Sequence, residues 1–336
     1  MPVRGAWGTL CLHAWRNDVP GGGPRVTIIG VDIGGTKCAV ARTDADGVPR
    51  EVGRIATGTP AATLGALYTA IDQMGVGSHP VFGVSCGGPL DARMGVILSP
   101  PNLPGWDRVP IVADLVHRFG GEAYLMNDAN AGALAEWTYG AAVGYRHVVF
   151  LTFGTGMGAG LILDGHLFEG TSGNAGEVGH IRLADLGPVG YGKAGSFEGL
   201  CSGGGIARLA QEAARARDGR VAFNPGTIDA ISAQHVARAA ERGDADAASL
   251  LATVGASLGR GLAVLIDILN PQVVVLGSIY VRCRTFIEPA MRATLEAEAL
   301  PQALRDCSVV PAALGEALGS YAAVAVARYR KGEIGA

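Results

Sequence analysis

The chain has 336 residues, with 27 Lys and Arg against 30 Asp and Glu and a formal net charge of −3. That balance, with a pI near 6.2, argues against the basic stripe of a nucleic-acid binder. A content of 49% hydrophobic and 17% charged residues is that of a folded globular protein, long enough for two domains. The most apolar stretch, from Leu258 to Val281, is interrupted by Arg260, Asp267, Asn270 and Pro271, so no membrane partner is expected. Six cysteines are scattered without a C-x-x-C pair and read as buried free thiols of a cytoplasmic protein.

Residues 1–25 lack the apolar core and cleavage site of a signal peptide. They are read as an N-terminal extension ending in the linker Pro20-Gly21-Gly22-Gly23-Pro24. Val26–Ile33, Cys38–Thr43 and Val48–Arg54 follow as three antiparallel strands. The first two are joined by Gly34-Gly35-Thr36-Lys37 and the last two by Asp44-Ala45-Asp46-Gly47. Thr63–Met74 carries Leu64, Leu67 and Ile71 at helical spacing. Val81–Val84 is a short strand running into Cys86-Gly87-Gly88-Pro89. Tyr124–Met126 is another, and Asn127-Asp128 leads from it into a helix over Ala129–Tyr139.

The opening unit then recurs. His147–Phe153, Gly158–Leu163 and His166–Glu169 read as strands, with Gly154-Thr155-Gly156 at the first bend and Asp164-Gly165 at the second. Ser232–Leu269 is two helices broken at Gly243, the second with Leu250, Val254, Leu258, Leu262, Leu265 and Leu269 on one stripe. Pro271 stops it before the strand Val273–Leu276, which ends in Gly277-Ser278. Tyr321–Tyr329 is a final helix. Strand units alternating with helices give an α/β fold, most simply two similar halves around a cleft.

The two glycine-threonine bends carry the chemistry. Glycine lets the backbone approach an anion closely, and bends of this kind present N–H groups to phosphate. Two of them on a duplicated hairpin suggest jaws closing on one polyphosphate, with Thr155 and Gly156 acting on the nucleotide. Gly154-x-Gly156-x-x-Ala159 fits a dinucleotide fingerprint, but strand and turn follow it where that motif needs a helix. No G-x-x-x-x-G-K-[ST] is present either.

Asp32, at a strand end beside a bend, either caps the turn or holds Mg²⁺, which favours one or two carboxylates plus phosphate oxygens. Lys37 points at phosphate or at solvent. Asp128 is either a helix N-cap or a general base, with Asn127 and Asn130 beside it suited to sugar hydroxyls. Glu177, His180 and Glu198 flank a glycine-rich loop and could bind hydroxyls or a metal.

These residues and their order resemble the ROK family of repressors and sugar kinases, within the actin/hexokinase/Hsp70 superfamily. The resemblance runs from about Val26 to about Arg330. It covers D-I-G-G-T-K, Gly88-Pro89-Leu90-Asp91, Pro101-Asn102-Leu103-Pro104-Gly105-Trp106, Asn127-Asp128, T-x-G-T-G-x-G, Glu177-x-Gly179-His180 and Glu198. It implies two actin-like (ribonuclease H-like) halves around a central cleft, 26–125 with 311–336 forming the smaller and 126–310 the larger.

It further implies ATP and Mg²⁺ as cofactors, a sugar as partner and a homodimer. Asp128 would be the catalytic base. Gly88, Asn102, Asn127, Asp128, Glu177, His180 and Glu198 would meet the sugar. Asp32, Gly34, Gly35, Thr36, Thr155 and Gly156, with Lys37, would serve ATP and its Mg²⁺, and Gly277 would lie near the adenosine.

The chain departs from the family in two places. The usual G-G-G near the adenosine reads Gly277-Ser278-Ile279. The three cysteines that bind structural zinc in many members are replaced by Val189, Tyr191 and Ser196, so no structural zinc is expected. Val189 and Tyr191 are expected to order the loop by packing.

The function implied is ATP-dependent phosphorylation of a glucose-like hexose at its 6-hydroxyl. The alternatives are a sugar-responsive regulator, which would need a helix-turn-helix module in the short segment before the first bend, and a non-catalytic sugar sensor.

Overall fold

The computed structural model describes residues 27–43 and 47–335. The expected extension, its linker, Cys11 and most of the Asp44–Gly47 turn lie outside these residues. The first sheet holds β1 (Ile28–Ile33), β2 (Lys37–Thr43), β3 (Pro49–Ala56) and β4 (Val81–Cys86). After a small hairpin of β5 (Leu90–Asp91) and β6 (Val96–Ile97), β7 (Glu122–Asn127) completes it. Its order is β3-β2-β1-β4-β7. The first three strands are antiparallel neighbours, and β4 and β7 add on in parallel.

The second sheet repeats this plan. It contains β8 (Val148–Phe153), β9 (Met157–Leu163) and β10 (His166–Leu167). Beyond a small hairpin of β11 (Val189–Gly190) and β12 (Lys193–Ala194) come β13 (Val273–Leu276) and β14 (Ser308–Pro311). The order β10-β9-β8-β13-β14 has the same strand senses. The duplication legible in three strands therefore extends to all five.

Helices α1 (Pro60–Met74) and α2 (Ile111–Phe119) cover one face of the first sheet through Leu64, Leu67, Ile71, Ile111 and Leu115. α1 starts three residues before its expected start at Thr63: Thr59 caps it and Pro60 takes the first position, where a missing N–H costs nothing. On one face of the second sheet lie α4 (Phe197–Cys201), α5 (Gly203–Arg215), α6 (Ala233–Glu241), α7 (Ala245–Leu269), α8 (Ile279–Glu298) and α9 (Pro301–Asp306). By composition α7 is long and apolar enough to cross a membrane. Its Leu251, Val254, Leu258, Leu262 and Leu265 are instead buried in this core, while Leu250 and Leu269 are half-buried.

Two helices cross over. α3 (Asp128–Tyr139) leaves the last strand of the first sheet yet packs on β8 and β9 of the second. α10 (Leu318–Arg330) leaves the last strand of the second sheet and packs on β1 and β4 of the first. Glycine makes both approaches possible. A Cβ on Gly83 would lie 2.0 Å from the Ala323 carbonyl of α10, and one on Gly160 would lie 2.4 Å from the Ala129 carbonyl of α3.

The crossing helices also pack on each other, and Glu136 joins them. Its fully buried carboxylate accepts from Ala141 N at 2.7 Å, Ala313 N at 3.1 Å and Leu314 N at 3.0 Å. The end of α3 is thus tied to the segment that leads into α10. Cys38, Cys86, Cys201 and Cys283 are buried free thiols and Cys307 is partly buried.

Candidate functional site

The first bend is held from below by β3's end. Gly34 N bonds to Lys37 O at 3.1 Å, Thr57 Oγ1 donates to Gly34 O at 2.6 Å, and Thr57 N donates to Thr36 O at 3.1 Å. Gly35 and Thr36 stay exposed. A Cβ on Gly35 would stand 2.6 Å from the Asn102 carbonyl and 3.2 Å from its Nδ2. The bend therefore touches the loop that carries Asn102. That loop is anchored by Trp106, buried, with its indole N–H on Gly58 O at 3.0 Å.

Asp32 is the penultimate residue of β1, next to this bend. A Cβ on Gly319, in the first turn of α10, would lie 2.2 Å from Asp32 Oδ2, so only glycine there leaves room for the carboxylate. Burial, then the charge of Asp128, push its pKa up to about 6, against the buried Ser85 hydroxyl and Lys37. Lys37 lies at the surface, 3.4 Å from Glu316, and Glu316 also takes Arg282 of α8 at 3.1 Å. The ammonium thus sits in an exposed ion pair beside the bend.

The second bend mirrors the first. Gly154 N bonds to Gly156 O at 3.1 Å. Gly203 N and Gly204 N at the start of α5 donate to Gly154 O at 2.8 Å and Thr155 O at 3.2 Å, leaving the Thr155 side chain exposed. Gly277 N holds Leu151 O at 3.0 Å. The Ser278 hydroxyl would be 4.0 Å from a Cβ on Gly154, which puts the end of β13 beside this bend.

Asp128 opens α3, but the cap is Asn127, whose side chain accepts from Ala129 N at 2.8 Å. The capping role weighed for Asp128 therefore falls to its neighbour. Asp128 is exposed by residue area yet surrounded by protein, and that burial raises its carboxyl pKa. A Cβ on Gly87 would be 3.7 Å from both Asn102 Nδ2 and Asp128 Oδ2, and one on Gly88 would be 3.6 Å from Asn127 Nδ2. Gly88, Asn102, Asn127 and Asp128 thus form one cluster. Asn130 does not join it as an exposed hydroxyl ligand; it is buried in α3 and its Oδ1 has no partner among the described residues.

Glu177 and His180 bracket a short turn and are exposed. Burial by surrounding protein raises the Glu177 pKa, His180 opposes it, and Asp128 and Glu198 add to it, so these groups share one field. Glu198 Oε2 accepts from Met157 N at 3.0 Å and would lie 2.9 Å from a Cβ on Gly156. Gly156 thus packs against Glu198 as well as forming part of the bend.

The chain matches the ROK family over residues 28–330. It is 30% identical over 315 residues to a glucokinase of Thermotoga maritima, covering 92% of this chain and 99% of the relative. The chain belongs to the ROK family. A ROK family glucokinase from Streptomyces griseus, solved with glucose and AMPPNP, superposes with a TM-score of 0.73 at 30% identity over 90% of this chain and 99% of that one. A ROK family transcriptional regulator shares the fold at a TM-score of 0.74 and 21% identity, over 90% of this chain and 78% of its own.

Against this family frame, the loop between His180 and Glu198 is tied without thiolates. Ser196 is buried, donates to Gly190 O at 3.1 Å and caps α4 through Gly199 N at 3.0 Å. Tyr191 stacks on His180 with ring centroids 3.9 Å apart. Val189 does not pack as expected: it is 48% exposed, and its carbonyl rather than its side chain makes the tie, to Arg208 of α5. Ser278 takes a left-handed φ of 49°, a conformation glycine adopts more readily.

Sequence reading missed Ser85, Glu136 and Gly319. Gly319 sits in an apolar helix with no local mark of its role.

Proposed function

We propose that this ROK sugar kinase transfers the γ-phosphoryl group of ATP to the exocyclic 6-hydroxyl of an aldohexose such as glucose. The observation that carries the reading is the cluster of Asn102, Asn127 and Asp128 placed directly against the first glycine bend through Gly35 and Gly87. A sugar held by the two asparagines would present a hydroxyl to Asp128 beside the phosphate cradle. Asp128 would accept the hydroxyl proton as the oxygen attacks phosphorus in line. Its raised pKa brings its basicity closer to the working pH, which favours general-base catalysis.

The bends would bind the triphosphate through backbone N–H groups and the exposed Thr36 and Thr155 hydroxyls. Phosphoryl transfer relies chiefly on such positioning and electrostatics. Mg²⁺ bound with ATP would neutralise charge on the transferring group. The chain fits an ion carried by the nucleotide: Asp32 is one carboxylate beside a bend, and no cluster of three or more ligating side chains occurs among the described residues. Glu177, His180 and Glu198 would take the remaining sugar hydroxyls.

ADP release measured across a panel of aldohexoses and N-acetylated hexosamines tests the reading. Glucose or a close epimer should give the highest kcat/KM. ADP release that no sugar stimulates would overturn it.

A further inference from the structure

Tyr191 occupies an unfavourable place for a ring. β11 and β12 pair with Val189 opposite Ala194 and Gly190 opposite Lys193. Tyr191 and Gly192 therefore form a two-residue hairpin loop, with φ of 52° and 68°. Two positive φ values are the mark of a type I′ turn, for which Asn-Gly is the preferred pair. An aromatic residue in the left-handed region is strained, and strain of this kind gathers at functional sites.

The ring is not there to fill a core, since Tyr191 is 50% exposed. It lies parallel to the His180 imidazole, at 3.9 Å and 22°. A Cβ on Gly179 would stand 3.0 Å from Tyr191 Cε2 and 3.3 Å from Glu198 Cβ, so ring, backbone and carboxylate share one small space. From the far side of the turn, Lys193 Nζ donates to His180 O at 2.7 Å.

We infer that Tyr191 is a positioning residue of the sugar pocket, fixing the His180 ring by stacking. The inference rests on the reading that His180 and Glu198 meet the sugar.

Tyr191→Asn separates position from stability. It supplies the residue the turn prefers and removes the ring, so the melting temperature should hold or rise. Sugar affinity, measured at equilibrium without ATP, should weaken about three- to tenfold, the scale of one aromatic contact. KM for ATP should stay at the wild-type value, and Tyr191→Phe, which keeps the stack, should recover most of the sugar affinity. Combined with His180→Ala, Tyr191→Asn should add less than its separate effect.

Wild-type sugar affinity in Tyr191→Asn would overturn the inference, as would equal losses for sugar and ATP. His180→Ala and Glu198→Gln distinguish the two ways of failing. If both leave sugar affinity unchanged, the sugar-pocket reading falls and the role of Tyr191 with it. If they weaken it while Tyr191→Asn does not, the role of Tyr191 alone falls.

Discussion

Burial, with the charge of Asp128 added, raises the cost of ionising Asp32, and this gives a test by pH. Asp32 has a folded pKa of about 6, above its ordinary value. The folded apoprotein therefore holds this proton more tightly than the unfolded chain does. Asp32 lowers apoprotein stability as pH rises from its unfolded value through about 6, and the whole of that cost is present above it. Asp32→Asn should accordingly raise the melting temperature of the apoprotein at about pH 8, with the gain shrinking towards pH 5. The same variant should bind Mg²⁺-ATP more weakly at about pH 8, because the ionised carboxylate is what attracts the cation. A gain in stability independent of pH would show that Asp32 is ionised freely in the fold. At this scale the bends and Asp128 were legible in the sequence, because strand, glycine bend and strand is a local pattern. Gly319 was not, because its role exists only once α10 lies on β1 and meets Asp32.

Among the elements, Glu136 makes the sharpest claim. Three backbone N–H groups from two segments end on one buried carboxylate. Leaving buried donors unpaired costs about 1–3 kcal/mol each. Glu136→Ala should thus lower unfolding stability in urea by at least ~2 kcal/mol, and a loss under ~0.5 kcal/mol would show that water replaces the carboxylate without cost. The loop tied by Ser196, Tyr191 and Arg208 makes a second claim. Purified protein should hold well under one zinc per chain, and its melting temperature should survive a chelator. One tightly held zinc, with unfolding on its removal, would contradict that account. The sequence showed the repeated strands and the break at Gly243 because their apolar patterns are strong. It left α8 unread because Pro289 lies inside that helix and its chain kinks at Cys283, although Arg284, Glu288 and Arg292 pair at helical spacing. α2, α4 and α5 were also missed. α4 is five residues long and α5 opens on three glycines, so propensity carries little signal there.

Across the molecule, two five-stranded sheets of one topology exchange a helix each, and the exchange sets the geometry of the site. α3 brings Asp128 from the first sheet onto the second, while α10 returns from the second sheet to meet Asp32 under the first bend. The central claim is that the hydroxyl of a hexose, activated by Asp128, receives phosphorus from ATP between these halves. Phosphorus NMR of a reaction with ATP, Mg²⁺ and glucose, run on wild type and Asp128→Asn, tests it most directly. Wild type should convert the γ-phosphate resonance into that of a 6-phosphomonoester. Asp128→Asn, folded and still binding sugar, should do so at least ~10²-fold more slowly. A variant that forms the sugar phosphate at the wild-type rate, or a wild type that yields only inorganic phosphate, would contradict the account.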